Sequence, residues 1–458
     1  MRAPYRFVSS VSFMLVWLSV WLFVSTGVLV RADDRPPKTD PGVADAVRHV
    51  RRDRLEKTVR ALAAFPTRHT LSGASGADAA ADWLYRELKA VSEANGHRLQ
   101  VEKDTWTEPA GTRVPEPAVL TNVLAILPGE SRPNDVIVVS GHYDSRVTDV
   151  MNATAPAPGA NDDASGVAVT LELARLMAGR RYPCTIVFAA VTGEEQGLLG
   201  ANHLAERMVG ERKNVVAMFT NDIVGNSRGE NGKKESHRLR LFSAGYDPAE
   251  TTAQTARRRA TGTDADTRSR TLARAAADSV RRYLRGFSLT LIFRNDRYGR
   301  GGDHTPFLNR GFAACRFTEP NEDWRHQHQD LRTENGIVYG DLPEFVDYGY
   351  LAQVARANLA VIADLATAPP VPKRVTLRGD LSPDTTLSWE SPVESAFIEI
   401  LWRKTTAPDW EGSRLCPATV GQAVLPLAKD DYLFAVRAVG RTGARSLPAI
   451  PVSGRKPA

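Results

Sequence analysis

Two runs of β-branched and apolar residues, each followed by acidic side chains, constrain this chain more than any other feature. The first run covers residues 136–139 and leads into Gly141-His142-Tyr143-Asp144; the second covers residues 185–191 and leads into Gly193-Glu194-Glu195. Such runs predict strands of a buried parallel sheet. Ligands of open α/β sheets bind outside the carboxyl ends of the strands. We therefore expect these polar side chains to meet at one edge of a sheet.

Three further segments supply polar side chains at comparable places. Asp162 and Asp163 lie in a Gly-Ala-Asn turn before a predicted helix, and Asp222 follows a predicted strand over residues 215–219. A later segment reads His326-Gln327-His328-Gln329-Asp330. Taken singly, each segment is typical of a local hydrogen bond, a helix cap or a solvated loop. Together they bring two histidines and at least three carboxylates to strand exits, a set that suits zinc.

His142 and Asp144 have the spacing of a metal ligand and its supporting carboxylate. A metal-bound histidine usually donates its other ring N–H to a carboxylate or carbonyl. We therefore predict that Asp144 orients His142. The adjacent acids Glu194 and Glu195 point in different directions, so one can bind a metal while the other faces substrate.

The order of these motifs resembles the M28 family of zinc peptidases, the co-catalytic aminopeptidases, over roughly residues 45–366. The resemblance implies a three-layer α/β fold with a mixed, mainly parallel central sheet flanked by helices. It also implies two zinc ions, the first held by His142 and Asp222 and the second by Glu195 and a late histidine. Asp162 would bridge the ions, and the Asp162–Asp163 peptide would be cis. Glu194 would be the general base.

The late histidine is the ambiguous part of the resemblance. The family places this ligand four residues before an aspartate, which selects His326 relative to Asp330, with His328 as the runner-up. Arg325 stands where the family often has a tyrosine, which leaves the lining of the substrate pocket open. The segment around Asp303 and His304 resembles a family segment near the site, and we expect His304 on the substrate side.

The remaining chain divides into several predicted segments. Residues 1–32 resemble a secretory signal peptide, and residues 33–44 are predicted to form a polar tether. A surface helix is predicted from Leu272 to Leu284. The Pro-rich residues 367–372 form a linker, and residues 373–458 alternate like a small β-sandwich that resembles a fibronectin type III domain. We expect a secreted or periplasmic protein, although an uncleaved N-terminal membrane anchor would also fit the apolar run.

Composition and net charge limit the classes of molecule that this chain is expected to bind. The 458 residues carry a net charge of +6, and removing residues 1–32 would lower it to +3, which gives nucleic-acid binding no support. Peptides or proteins are the expected substrates, and the partner of the C-terminal domain is unknown. The three cysteines lie far apart in apolar runs, which favours buried free thiols.

We expect hydrolysis at the amino end of peptides. A carboxypeptidase or another zinc hydrolase on the same fold is the nearest rival. A carboxypeptidase would need a fixed cation for the substrate carboxylate, and four arginines lie in segments near the site: Arg294, Arg297, Arg300 and Arg325. A single-zinc acyl transferase such as a glutaminyl cyclase is disfavoured by the full ligand set. A non-catalytic peptide-binding protein is disfavoured by intact Glu194.

Overall fold

The computed structural model describes residues 36–453, so the predicted signal peptide lies outside the described residues. The α-helices of this part of the chain are α1 Pro41–Arg48, α2 Arg52–Ala63, α3 Ala77–Ala94, α4 Ala164–Met177, α5 Leu199–Gly210, α6 Thr252–Ala260, α7 Arg268–Tyr283, α8 His304–Asn309 and α9 Tyr348–Thr367. None of the helices within residues 36–453 combines the length and apolarity needed to cross a bilayer.

The strands up to residue 339 are β1 Gln100–Glu108, β2 Ala118–Leu127, β3 Arg132–His142, β4 Cys184–Val191, β5 Asn214–Asn221, β6 Arg238–Ser243, β7 Ser288–Ile292, β8 Ala314–Thr318, β9 Arg332–Glu334 and β10 Ile337–Tyr339. Except for the β9–β10 hairpin, they form one eight-stranded sheet in the order β1-β2-β4-β3-β5-β8-β6-β7. Strands β4, β3, β5 and β8 run parallel to their neighbours within this central block, so their carboxyl ends lie at the same edge. The mixed sheet confirms the predicted fold class.

Both faces of the sheet are covered, which explains why its central strands are continuous apolar runs. On β3, Ile137 and Val139 belong to the larger core, which includes residues of α2, α4, α7 and α9. Val136 and Val138 belong to the smaller core, with Leu204 of α5 and residues of α8. The fold therefore has three layers, and α1 begins at Pro41, inside the segment predicted as a tether, with Asp40 as its N-cap.

Residues 373–453 form two smaller sheets around a core of their own. The strands are β11 Lys373–Leu377, β12 Thr385–Glu390, β13 Phe397–Lys404, β14 Gly412–Pro417, β15 Gln422–Leu425, β16 Tyr432–Val439 and β17 Val452–Ser453. Sheets β15-β12-β11-β17 and β14-β13-β16 enclose Trp389, Ile400 and Val436. The likeness to a fibronectin type III domain stays a prediction. Cys184, Cys315 and Cys416 are buried and free, as expected.

The prediction of a surface helix at residues 272–284 is wrong, because α7 is largely buried. Its apolar face, with Leu272 and Val280, joins the larger core. Its polar face meets the C-terminal domain, since Asp278 Oδ2 lies 3.0 Å from Arg437 Nη1 and 3.2 Å from Arg445 Nη1. The prediction failed because the charged residues on this face pair across a domain boundary instead of facing water.

A second ion-pair cluster at this boundary is buried completely. Asp266 accepts from Arg274 at 2.7 Å and from Arg403 at 2.9 Å, and each of the three side chains is 1 % exposed. Arg274 also donates from Nε to the Pro408 carbonyl at 2.7 Å. Because Arg403 belongs to β13 and Arg274 to α7, this carboxylate joins the two domains.

Replacing Asp266 tests whether this buried ion-pair cluster stabilises the protein. Asp266→Asn would leave two buried guanidinium groups without their counter-ion, and removing one partner of a buried pair costs about 3–5 kcal/mol. Chemical denaturation should therefore give a lower free energy of unfolding. The matched variant Asp264→Asn, at an exposed position two residues earlier, should change it by less than about 0.5 kcal/mol. Equal losses in the two variants would contradict the assigned role of Asp266.

Candidate metal centre

The carboxyl ends of three neighbouring strands deliver the first part of the site. His142 is the last residue of β3, Asp222 follows β5 directly, and Glu194 and Glu195 follow β4. His142, Asp222 and Glu195 are buried. The parallel register of β4, β3 and β5 brings these segments together, as the strand pattern predicted.

Asp162 arrives from the long connection between β3 and α4. Its Oδ1 lies 3.1 Å from His142 Nε2, and the peptide bond to Asp163 is cis, in agreement with the resemblance. Asp163 caps α4 by accepting from Gly166 N at 2.9 Å and also accepts from His142 N at 3.0 Å. The two adjacent acids therefore have separate roles: Asp163 supports the backbone, and Asp162 faces His142.

The late histidine that reaches this site is His328. Its Nε2 lies 2.8 Å from Asp162 Oδ2 and 2.9 Å from Glu195 Oε1. His328 has a positive φ of 53°, a backbone conformation that is uncommon for residues other than glycine. The sequence favours His326 and makes His328 the runner-up.

The choice of His326 is corrected by the structure. His326 ends a short 3₁₀ helix, and its ring stacks on Phe345 with centroids 3.6 Å apart. Its Nδ1 lies 3.5 Å from Asp323 Oδ2, and His326 belongs to neither group of potential metal-binding atoms found in the described part of the chain. The four-residue spacing to Asp330 does not decide the ligand here, because the imidazole that meets Asp162 and Glu195 is that of His328, two residues later.

Two groups of potential metal-binding atoms result within the described part of the chain. One comprises His142, Asp162 and Asp222, and the other comprises Asp162, Glu195 and His328. Within each group the ligand atoms lie within 4.8 Å of one another. Asp162 belongs to both groups through its two oxygens. Imidazole nitrogen with carboxylate oxygen is a donor set that fits zinc.

The electrostatics of the site favour bound cations. Burial alone would lower the pKa of His142, but Asp144 and Asp162 raise it well above its usual value. Burial likewise opposes a proton on His328, yet Glu195 and Asp162 raise its pKa to about 10. The same carboxylates that hold these protons would hold a divalent cation in their place, because both respond to the same negative potential.

Glu194 lines the cleft beside these groups but belongs to neither. Burial, together with the negative charges of Asp222 and Glu195, raises the pKa of Glu194 well above its usual value. A carboxylate with a raised pKa is a better proton acceptor than an ordinary one.

Asp144 contacts both His142 and the segment that carries the glutamates. Its Oδ1 lies 3.5 Å from His142 Nδ1, which also lies 3.2 Å from the Asp144 carbonyl oxygen. The two carboxylate oxygens accept from the backbone N–H groups of Glu194 and Glu195 at 3.3 and 3.2 Å. Asp144 is thus placed to orient His142 and to fix the position of the glutamate pair.

Comparison with known proteins agrees with this geometry. Residues 122–336 match Peptidase family M28. A probable zinc metalloprotease of Leptosphaeria maculans is 43% identical over 425 residues, which cover 91% of this chain and 98% of the relative. A probable zinc metalloprotease of Pyricularia oryzae is 44% identical over 414 residues, 88% of this chain and 82% of that protein. This chain belongs to peptidase family M28.

Solved structures support the M28 fold. The Legionella pneumophila protein LapB superposes with a TM-score of 0.53 at 19% identity, covering 73% of this chain and 79% of LapB. The Legionella pneumophila LapA aminopeptidase superposes with a TM-score of 0.50 at 16% identity, covering 74% of this chain and 76% of LapA. At these identities the likeness concerns the fold.

The placement of His304 on the substrate side of the M28 site is corrected. His304 begins α8, is completely buried and does not line the cleft; its Nε2 lies 2.9 Å from the Asn295 carbonyl oxygen. This carbonyl gives the buried imidazole a polar partner at Nε2. From the same segment Gly301 lines the cleft, while Asp303 is buried, and burial raises its pKa to about 7.

Three supporting side chains were not predicted from the sequence. Arg316, in the middle of β8, pairs with Asp222 at 3.0 Å and with Asp296 at 2.9 Å. Arg68 is fully buried and donates to the carbonyls of Tyr143 and Gly159, on both sides of the connection that carries Asp162. Asp341 accepts from the backbone N–H of Asp162 at 2.7 Å. An arginine inside an apolar strand was the available signal for Arg316; Arg68 and Asp341 had none.

Proposed function

We propose that this M28 chain is a secreted two-zinc aminopeptidase. The observation that carries the proposal is the sharing of Asp162 between two potential metal groups. His142 and Asp222 would hold one ion with Asp162, and Glu195 and His328 would hold the other. The names of the relatives given above support zinc. Secretion depends on the predicted signal peptide at residues 1–32.

The chain's own residues would divide the reaction between them. Bound zinc ions supply Lewis acidity, which polarises the peptide carbonyl and makes water a stronger acid. Glu194 would accept a proton from the attacking water and pass it to the leaving amine. Asp144 would hold His142 and the glutamate backbone in place during this transfer. Arg316 would hold Asp222.

The amino end of the substrate is the better match to the cleft. Four carboxylates line it, namely Asp162, Glu194, Glu195 and Asp222. A free α-ammonium group is a suitable partner for the part of this negative charge that zinc leaves unused. The aminopeptidase name of the structural relative LapA supports the same direction. A carboxypeptidase on this fold is the second candidate, since arginines also line the cleft.

The assignment of the late ligand predicts the metal content of two variants. His328→Ala should lose one of the two proposed zinc ions, because its imidazole meets Asp162 and Glu195. His326→Ala, the matched control two residues away, should keep both ions. Zinc analysis of the purified proteins after dialysis measures the difference. Equal zinc content in the two variants would remove the support for His328.

The base assignment predicts a separation of turnover from metal binding. Glu194→Gln should lower kcat by about 10²–10⁴-fold, the usual range for a general base. Zinc content should stay unchanged, because Glu194 has no ligand role. Glu206→Gln, on the exposed surface of α5, is the matched control and should leave both quantities unchanged. Loss of zinc from Glu194→Gln would exchange the roles of Glu194 and Glu195.

If the enzyme removes residues from the amino end, the rate of hydrolysis should depend on a free amino group in the substrate. Aminoacyl chromogenic amides should be hydrolysed, and their N-acetylated forms should not, because acetylation removes the positive charge that the carboxylates bind. Release of the chromophore measures the rate. Hydrolysis of blocked and free substrates at equal rates, with residues released from the C-terminus, would favour the carboxypeptidase instead.

A further inference from the structure

The cleft beside the metal centre carries positive charge that the proposed chemistry does not use. It has a volume of about 420 Å³ and is lined by the four carboxylates together with four arginines, Arg113, Arg146, Arg297 and Arg300. In the proposed function the carboxylates bind zinc, transfer a proton or meet the substrate amine. Their charge is thereby compensated, and the arginines need other partners.

Arg297 has such partners within the fold. Its Nη1 lies 2.8 Å from Glu322 Oε2, and its Nε lies 3.5 Å from Asp296 Oδ1. Its side chain is 10 % exposed, so these carboxylates neutralise it in a largely desolvated position. Arg297 therefore has a structural role, and its charge is not left over for binding a ligand.

Arg300 lacks a carboxylate partner. Among residues 36–453 no acidic oxygen lies within 4 Å of its guanidinium group, which instead lies 5.1 Å from the centroid of the Trp324 ring. The ring restricts the arginine without neutralising it. Arg300 therefore presents an exposed cation at the border of the cleft.

Arg113 and Arg146 bind backbone oxygens in the same cleft. Arg113 Nη1 donates to the Glu195 carbonyl at 2.7 Å. Arg146 donates from Nε and Nη2 to the carbonyls of Val147 and Thr148, both at 3.0 Å. The acidic atom nearest to Arg146 within the described chain is Glu195 Oε2 at 4.0 Å, and the proposed zinc would engage that carboxylate. Both arginines are held in position, yet their charge is left for a ligand.

We propose that Arg113, Arg146 and Arg300, here called the rim arginines, bind a substrate carboxylate located one or two residues beyond the scissile bond. The inference rests on the proposed aminopeptidase function, which places the substrate amine at the metal centre. The cleft volume matches a small ligand, so only the first residues of the leaving product lie inside it. The carboxylate is either the C-terminus of a dipeptide or tripeptide or an acidic side chain after the bond.

Two substrate pairs distinguish these sources. Alanyl-leucine and alanyl-leucine amide differ only in the terminal carboxylate. Alanyl-glutamyl-leucine amide and alanyl-glutaminyl-leucine amide differ only in the side chain. A charge-assisted contact corresponds to about a 10–100-fold preference in kcat/KM, so at least one acidic member should exceed its neutral partner by that factor. Alanine release by the zinc-loaded full chain measures each rate.

Variants connect the preference to the rim arginines. Arg300→Gln and Arg113→Gln should each reduce the ratio of acidic to neutral substrate, mainly through KM. Arg294→Gln is the matched control, because Arg294 is exposed on the same connection but does not line the cleft, and it should keep the wild-type ratio. Arg300 is exposed and lies over the exposed ring of Trp324, so its replacement should not impair folding.

The outcomes separate the two proposals. Release of alanine from all four substrates at equal rates would overturn the carboxylate site while leaving the aminopeptidase in place. A preference that persists unchanged in both rim variants would also overturn the role of the rim arginines. Failure to release alanine from any of the four substrates would overturn the proposed function and this inference with it.

Discussion

Concentrated negative charge at one edge of the sheet is the constraint on which the rest of the structure depends. Parallel packing of β4, β3 and β5 forces Glu195, His142 and Asp222 together, and Asp162 joins them from the following connection. Buried carboxylates at these separations repel one another unless cations compensate them. The pKa of His328 is raised to about 10 because a protonated imidazole supplies part of this compensating positive charge. Bound zinc ions would supply positive charge in the same place.

Arginines also balance this negative charge, some next to the metal groups and others at the border of the cleft. Arg316 pairs directly with Asp222, while Arg68 binds carbonyl oxygens and fixes the path of the chain around Asp162. At the border of the cleft, the rim arginines bind carbonyl oxygens or lie against an aromatic ring, and Arg146 also lies 4.0 Å from Glu195 Oε2. The arginines near the metal groups thus stabilise the fold. Those at the border of the cleft, where a substrate would bind, keep positive charge that the protein does not fully neutralise.

The C-terminal domain is joined to the peptidase domain by charge pairs as well as by packing. Asp266, just before α7, and Asp278, on the polar face of α7, meet arginines of the sandwich. Burial opposes the charge on Asp278, but Arg437 and its neighbouring guanidinium groups hold its pKa below the usual range. This carboxylate therefore stabilises the fold at pH above its unfolded pKa of about 4, and the contribution is lost as the pH falls toward its folded pKa. Because α7 also contributes to the core beneath the sheet, the two domains share one helix.

The sequence by itself determined the three-layer α/β fold class and the strands whose exits meet. It also predicted that one edge of the sheet collects His142, Asp162, Glu194, Glu195 and Asp222, whose roles stay a proposal. Local patterns predicted these positions because the central parallel strands are mostly apolar and ligands of such sheets bind outside the carboxyl ends of the strands; Arg316, inside β8, is an exception. Only the tertiary structure decided between His326 and His328, turned His304 inward, and buried α7. Each of these depends on backbone direction or on a partner distant in sequence, such as Phe345 for His326, and spacing along the chain carries no information about such partners.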